Sequence, residues 1–501
     1  MIKLIKNELI KIFSKKSLYI ILIVIFGIIF YQTFSYEKKI ENQSSSAQSS
    51  LREELDFTKE QMSLEDKSTY SGLLNYVKLQ SRYDLIKMIG NLYGDESWQA
   101  YVIMQNYKYM AYDMYYDYYL MNNLEKYFNE STFELEDSDK VSKKESIEKY
   151  NKINEVFSKN DWKVYADMQL EEFQKEKQDL EKQLEKEYDS LTEDSIESLN
   201  YDIEELNIRL KENIPMDYSY FSKAVSNYIS QTMSLELFKP NRFSSYNEYT
   251  SRQHYKNSAA VSKYDYENRI KTDYTNDTRY KLSITFEEYS QQIFIIVLII
   301  YFSAGIVSSE INKGTIKQLL SKPQSRFKIL LSKFITTLIM IIFSALVVVL
   351  MVLISNLIIK HDIKSLLTPI TLYNYNTDTL MVMRIGKYLI IQFLAKLPMF
   401  ISIATLSFAI STLFNNQVLA SIIPLCLYIA NLLIITPTEE NILFTRNLLT
   451  TNWDLAEVYF GRLAHVPSLS LEFCLIICIF YILILLIPSF LYFCTSDIKN
   501  K

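Results

Sequence analysis

The chain has 501 residues and a formal net charge of -5, so it carries no basic excess that would suit a nucleic-acid partner. Its 8 Gly and 9 Pro are few for a fold of short strands and tight turns, which points to an all-α protein. Mean hydropathy is -0.01, an average that hides two solvents: residues 37–286 hold 46 acidic against 33 basic side chains, and the remainder 12 against 20.

The first element predicted is an interfacial helix over residues 1–16. Leu4, Ile5, Leu9, Ile12 and Phe13 share one face, and Lys3, Lys6, Lys11, Lys15 and Lys16 largely decorate the other. Residues 17–35 then form an apolar run of bilayer length. A hydrocarbon core needs about 20 apolar residues in helical form, because no water is there to satisfy the backbone. No small-residue cleavage site follows, so residues 1–36 are expected to act as an uncleaved anchor.

Residues 37–286 are polar. They open with a flexible linker, ENQSSSAQSS, and continue with a helical pattern at 98–128 dense in tyrosine, a residue present 39 times in the chain. Tyrosine packs one face of its ring against a helix while its hydroxyl reaches water. The cluster therefore suits interhelical packing, or else a surface for apolar or peptidic ligands. From Leu170 the apolar positions recur in steps of three and four through Phe173, Leu180, Leu184 and Leu191. A second register runs through Ile196, Leu199, Ile203, Leu206 and Leu210. The break at 191–195 offers Thr192 and Ser195 as N-caps, which predicts a coiled-coil hairpin near 165–213 ending at Pro215. This domain has no cysteine and must hold together by helix packing. Cys426, Cys474, Cys478 and Cys494 all lie in later apolar stretches, as small apolar residues do.

Five further runs follow at 289–307, 334–359, 388–414, 418–437 and 473–494, giving about six transmembrane helices. Basic residues in short loops stay on the cytoplasmic side. Lysines crowd residues 1–16, and Lys313, Lys317, Lys322, Arg326, Lys328 and Lys333 occupy the loop 308–333; Lys499 and Lys501 lie in the tail. The loop 438–472 is acidic, with Glu439, Glu440, Asp454, Glu457 and Glu472. Both termini are thus expected in the cytoplasm of a multi-pass cell-membrane protein. Residues 37–286 become a large helical extracytoplasmic domain between the first and second spans, and 287–501 the five remaining spans. Lys360, Lys364, Arg384 and Lys387 dissent from this topology. The Lys-, Asn- and Ile-rich vocabulary suits an AT-rich bacterial genome.

No glycine-rich phosphate cradle, nucleophile elbow or metal-ligand spacing is present, and His254, His361 and His465 are widely separated. No catalytic or metal-binding residues are expected.

The informative stretch is 308–335, SSEINKGTIKQLLSKPQSRFKILLSKFI. A short amphipathic helix ended by Pro323 would present apolar and basic groups to another protein, or rest as a basic loop against lipid. Glu310, Gly314, Thr315, Leu319, Leu320, Pro323, Ser325 and Arg326 together resemble the first cytoplasmic loop of type-2 permeases of ATP-binding-cassette (ABC) transporters. The opening helix with Glu8 and Lys11, and the segment 406–420, LSFAISTLFNNQVLA, are similar to the same family. The resemblance covers roughly the membrane half of the chain. It implies that loop 308–328 couples the permease to a separate ABC ATPase, present in two copies and binding the ATP and Mg²⁺. It also implies a second permease copy, surrounding membrane lipid, and export of an antimicrobial peptide, drug, lipid or ion by alternating access. The large outer domain departs from the simplest members of that family. A different class, surface receptors or secretion scaffolds resembling phage-infection-protein-like membrane proteins, also has one span, a long outer domain and a terminal set of spans. Such proteins have no reason to keep Gly314, Thr315 and the basic helix after them.

Lys396 lies about ten residues into the fourth run, close to Pro398. A lone ammonium at bilayer depth is costly by roughly 2.5 to 3.5 kcal/mol. It either snorkels to headgroups, with the span starting at Leu397, or faces a substrate pathway and pairs with a carboxylate such as Glu288.

Overall fold

The computed structural model describes residues 1–44, 51–94, 96–104, 111–128, 134, 136, 142–186, 189–237, 246–271, 277–316, 324–433, 445–461 and 469–496. The chain divides into two compact units: one formed by Met1–Ile40, Phe243–Gln253 and Thr272–Lys501, the other by Glu41–Arg242 and His254–Lys271.

The second unit is helical. It contains α3 (Leu51–Leu64), α4 (Tyr70–Tyr93), α5 (Trp98–Met104), α6 (Ala111–Phe128), α7 (Lys143–Lys159), α8 (Trp162–Lys186), α9 (Ser190–Glu212) and α10 (Tyr220–Leu237), with part of α11 (Tyr246–Asn268). Its main core gathers Ile86, Ile89, Trp98, Val102, Phe157, Tyr165 and Leu206. Trp98 meets Phe157 edge-on at 5.2 Å and donates its indole N–H to Asn160 Oδ1 at 2.7 Å. The tyrosines do what their amphipathic rings allow. Tyr112 is buried and donates to the Lys78 carbonyl at 2.8 Å, Tyr119 donates to Asp84 at 3.0 Å, and Tyr118 stacks on Tyr150 at 3.8 Å.

Helices α8 and α9 pack against each other. Along α8, Leu170, Phe173, Lys177, Leu180 and Leu184 are all half-buried, the stripe expected from their spacing. The break lies earlier than the pattern suggested. Asp189 is the N-cap, accepting from Leu191 N at 3.2 Å; Thr192 donates its hydroxyl to Asp189 instead of capping, and Ser195 bonds back to the Leu191 carbonyl inside the helix. Leu191, read as a core position, is 71% exposed. A carboxylate is at least as good a cap as a hydroxyl, and taking it places Leu191 one residue inside a first turn that faces water. The helix ends in left-handed Asn213, just before Pro215. In its last turn, buried Arg209 bonds Glu205 and the hydroxyls of Ser222 and Ser226, tying α9 to α10. Desolvating such a pair offsets most of its attraction, but removing one partner would cost on the order of 3–5 kcal/mol.

The first unit holds the apolar helices. Among the described residues four are long and apolar enough to cross a membrane: Lys16–Lys39 within α2 (Lys16–Ser44), and the helices Arg326–Lys360, Ile385–Leu413 and Leu471–Thr495. Two more, α13 (Tyr289–Ala304) and Gln417–Asn431, are apolar but shorter. Sixteen residues rise only about 24 Å, short of a hydrocarbon core of about 30 Å, so length alone does not count these two as spans. In chain order the remaining elements are α1 (Ile2–Phe13), α12 (Thr278–Ser283), α14 (Ser308–Asn312), α15 (Arg326–Lys360), α16 (Ile385–Leu413), α17 (Gln417–Leu433), α18 (Leu449–Asn452), α19 (Leu455–Tyr459) and α20 (Leu471–Thr495). Their core is built from α2, α13, α15, α16 and α17, with Ile295, Leu298, Val348, Phe400 and Phe408 fully buried. The segment 406–420 makes the tight turn expected of it. Left-handed Asn415 follows α16, and Asn416 Oδ1 accepts from Val418 and Leu419 N to start α17. Ser411, near the end of α16, donates to the Ala304 carbonyl at 2.7 Å and accepts from Ser308 N at 3.1 Å. This fixes α16 against the junction of α13 and α14.

One feature departs from an all-α chain. Between α15 and α16, β1 (Ile370–Asn374) and β2 (Thr379–Met383) pair antiparallel, Ile370 opposite Met383 and Asn374 opposite Thr379. The hairpin's Asn376 donates to the Val458 carbonyl at 2.9 Å. Gly461, at φ 75°, sits so close that a Cβ would lie 2.5 Å from Asn376 N. The dissenting Lys360 is explained by packing. Its side chain is 4% exposed and paired with Glu37 at 3.4 Å, so it balances a local carboxylate and says little about topology.

Candidate functional site

The site forms where three segments far apart in sequence converge. Helix α1 turns Glu8 and Ile12 inward. Helix α14 carries Glu310, and its end is set by Gly314, whose φ of 69° lets the chain leave the helix while its N–H donates to the Ile311 carbonyl. Helix α15 starts at an N-cap supplied by Ser325, which accepts from Lys328 N at 3.3 Å, and carries Lys333 two turns in.

Lys333 is wholly buried. Its ammonium lies 3.0 Å from Glu8 Oε2 and 2.7 Å from Glu310 Oε2, and donates to the Ile306 carbonyl at 3.1 Å. Lys11 completes the set from the solvent side, 2.9 Å from Glu8 Oε1 and 2.6 Å from Glu310 Oε1. Two ammoniums and two carboxylates alternate, so the quartet is neutral as a whole. Each buried charge has two opposite charges beside it, which makes the burial tolerable. Burial works against the charge on Glu310, yet Lys333 and Lys11 outweigh it and hold its carboxyl below the usual range. Burial likewise lowers the Lys11 value, and Glu310 and Glu8 overcome that and raise it.

The eight loop residues read from the sequence do not form one cluster. Glu310 enters the quartet. Thr315 donates to the Glu310 carbonyl at 3.3 Å, next to Gly314, and the following Ile316 is buried in the helix core. Ser325 caps α15, and Arg326 donates to the Ser496 carbonyl at 2.7 Å, tying the start of α15 to the end of α20. Leu319, Leu320 and Pro323 lie outside the described residues. Lys333, counted in the sequence only as a loop charge, is the centre of the site. The signal for it was a lysine between Leu330 and Phe334 in an otherwise apolar helix, matched by Glu8 on the apolar side of α1.

A second polar group lies among the apolar helices. Lys396 is 3% exposed and ion-paired with Asp454, which also caps α19. Glu288 is not its partner: it stands at the N-cap of α13 and accepts from Ser290. Helix α16 is continuous from Ile385 with Pro398 inside it, so Lys396 lies within a helix that starts eleven residues earlier. Neighbouring Glu287 accepts from Tyr388 and Gln392 of α16, and Tyr428 of α17 donates to Gln292 of α13 at 2.7 Å. Among the described residues no three His, Cys, Asp or Glu side chains could hold a metal, and all four cysteines are free.

Apolar helices of spanning length, with a buried charge cluster tying α1, α14 and the start of α15 together, define a helical membrane protein. The chain belongs to the ABC-2 family of transporter proteins, whose profile matches residues 2–449. It is also similar to the uncharacterized protein YhcI of Bacillus subtilis (strain 168), 27% identical over 247 residues, which are 49% of this chain and 77% of that protein. No solved structure matches it. It is accordingly a membrane transport component of the ABC-transporter type, a family that in general implies a separate ABC ATPase partner.

The quartet sets a pH window. Because the Glu310 value is depressed on folding, its contribution is present above the ordinary carboxylate value of 4.5 and is lost as pH falls through the folded value. The Lys11 value is raised, so its contribution is present below 10.5 and is lost as pH rises through the folded value. Glu310→Gln should lower the thermal midpoint of the detergent-purified chain at neutral pH, with a loss on the order of 1–3 kcal/mol. The gap to the parent should stay flat between about pH 5.5 and 9.5 and close progressively below the ordinary carboxylate value.

Proposed function

We propose that this chain is the permease of an ABC exporter, assembled as two permease copies with two ATPase subunits that bind ATP and Mg²⁺. The quartet supports the reading most directly. Loop 308–328 carries the family's coupling motif, and its Glu310 is clamped through Lys333 to α15 and through Lys11 and Lys333 to α1. A push on the loop therefore moves α14, α1 and the foot of α15 together, the rigid displacement that alternating access needs. In this arrangement residues 1–16, the loop and the tail are cytoplasmic, α13 and α17 cross the membrane as the second and fifth of six spans, and residues 37–286 lie outside.

Orientation is tested in a background without native cysteines. A cysteine at Lys143 should react with a membrane-impermeant maleimide on intact cells, and one at Lys313 only after permeabilisation. Labelling of Lys313 on intact cells would reverse the topology.

Coupling is tested by pull-down. Replacing Glu310 and Arg326 with alanine should reduce recovery of the ATPase several-fold with membrane insertion unchanged, since it opens the quartet and frees the start of α15 from Ser496. Undiminished recovery would remove the loop from the ATPase interface.

The pair Lys396 and Asp454 is proposed to line the cargo pathway. Lys396 is buried and Asp454 half-buried among apolar helices, where ionisable groups are costly and serve transport more often than packing. Lys396→Met keeps side-chain length without charge, and cargo-stimulated ATP hydrolysis should fall at least about tenfold, the scale of losing one charged contact. Wild-type stimulation would make the pair purely structural.

A further inference from the structure

Beside the quartet lies a cavity of 670 Å³ between α1 and the junction of α13 and α14, within the range of small-ligand sites. One wall is apolar, made by Ile10, Ile12 and Phe302, and the polar side carries Lys11, Lys15 and Lys313 with both carboxylates of the quartet. The charges do not balance. Glu8 and Glu310 are spent on Lys11 and Lys333, and among the described residues Lys15 and Lys313 have no carboxylate within ion-pairing distance. Lys15 is held below the usual lysine value by burial first and then by repulsion from Lys313 and Lys333. Two like charges facing one hollow, with an apolar wall behind them, lack an anion that also carries an apolar part.

The surroundings say where that anion comes from. Helix α1 exposes Ile2 at 82%, Ile10 at 57% and Phe13 at 36%, and runs directly into the apolar helix Lys16–Lys39. A helix that packs one apolar face on the protein while Ile2, Ile10 and Phe13 point outward among its lysines lies at the headgroup level of a bilayer. We propose that this cavity binds the phosphate of an anionic phospholipid, with Lys15 and Lys313 as its counter-charges and Ile10, Ile12 and Phe302 against the glycerol and upper acyl chain. The lipid then stands at the hinge between α1 and α14, and its occupancy stiffens the same junction that holds Glu310. The inference needs only the membrane location of α1. Its failure would leave the ATPase pull-down, which reads Glu310 and Arg326, unaffected.

The test uses the full chain purified in a neutral detergent and titrated with phosphatidylglycerol, phosphatidylcholine or inorganic phosphate. Bound lipid is counted by native mass spectrometry, and the thermal midpoint is followed in parallel. Phosphatidylglycerol should bind and raise the midpoint, and the other two should not. Lys15→Gln with Lys313→Gln should weaken phosphatidylglycerol about 25-fold, from a factor of about 5 per lysine near an anionic surface, and Lys15→Arg with Lys313→Arg should retain it. Equal binding of the two lipids, or unchanged affinity in the glutamine variant, would overturn the proposal. Inorganic phosphate giving the same lysine-dependent shift would overturn the lipid source in favour of a soluble phosphate.

Discussion

Everything at the loop end of the apolar helices depends on one buried ammonium. Lys333 has no access to water, so the charge it carries is tolerable only while Glu8 and Glu310 both stay within ion-pairing distance. Those carboxylates come from the first residues of the chain and from a short helix some 300 residues later. Neither segment can move alone without stranding a buried charge. The constraint turns three loosely connected pieces, α1, α14 and the foot of α15, into one mechanical body.

The same constraint explains the local geometry around it. Gly314 and Thr315 matter because they end α14 one turn after Glu310, holding the carboxylate at the right height. Ser411 matters because it accepts from Ser308 N and donates to the Ala304 carbonyl, anchoring the end of α13 against α16. Arg326, bonded to the Ser496 carbonyl, joins the start of α15 to the last helix. The loop end is thus joined to α15 through charge and to α16 and α20 through hydrogen bonds.

At the other polar cluster the logic differs. Glu287, Tyr388, Gln392, Gln292 and Tyr428 join α13, α16 and α17 through hydrogen bonds, and Lys396 meets Asp454 nearby. Polar contacts between apolar helices hold them in register when lipid offers no hydrophobic drive for association. The helical unit Glu41–Arg242 with His254–Lys271 relies instead on aromatic packing. Tyrosine suits that role, because each ring buries area and still satisfies its hydroxyl.

The sequence by itself determined what depends on local composition and period. Apolar runs of bilayer length, the half-buried stripe of α8, the end of α9 before Pro215, the tight turn at 406–420 and the resemblance carried by the stretch from Glu310 to Arg326 are all properties of neighbouring residues. Tertiary structure alone decided the rest. Lys333 read as one more loop lysine, Lys360 as a topological exception and Glu288 as the partner of Lys396. The reason is common to the three: a charge's partner is chosen by distance in space, and attraction at about 3 Å is indifferent to sequence separation. Cap placement at Asp189 and the β1–β2 hairpin escaped for a related cause, since both were decided by competition between nearly equivalent local options.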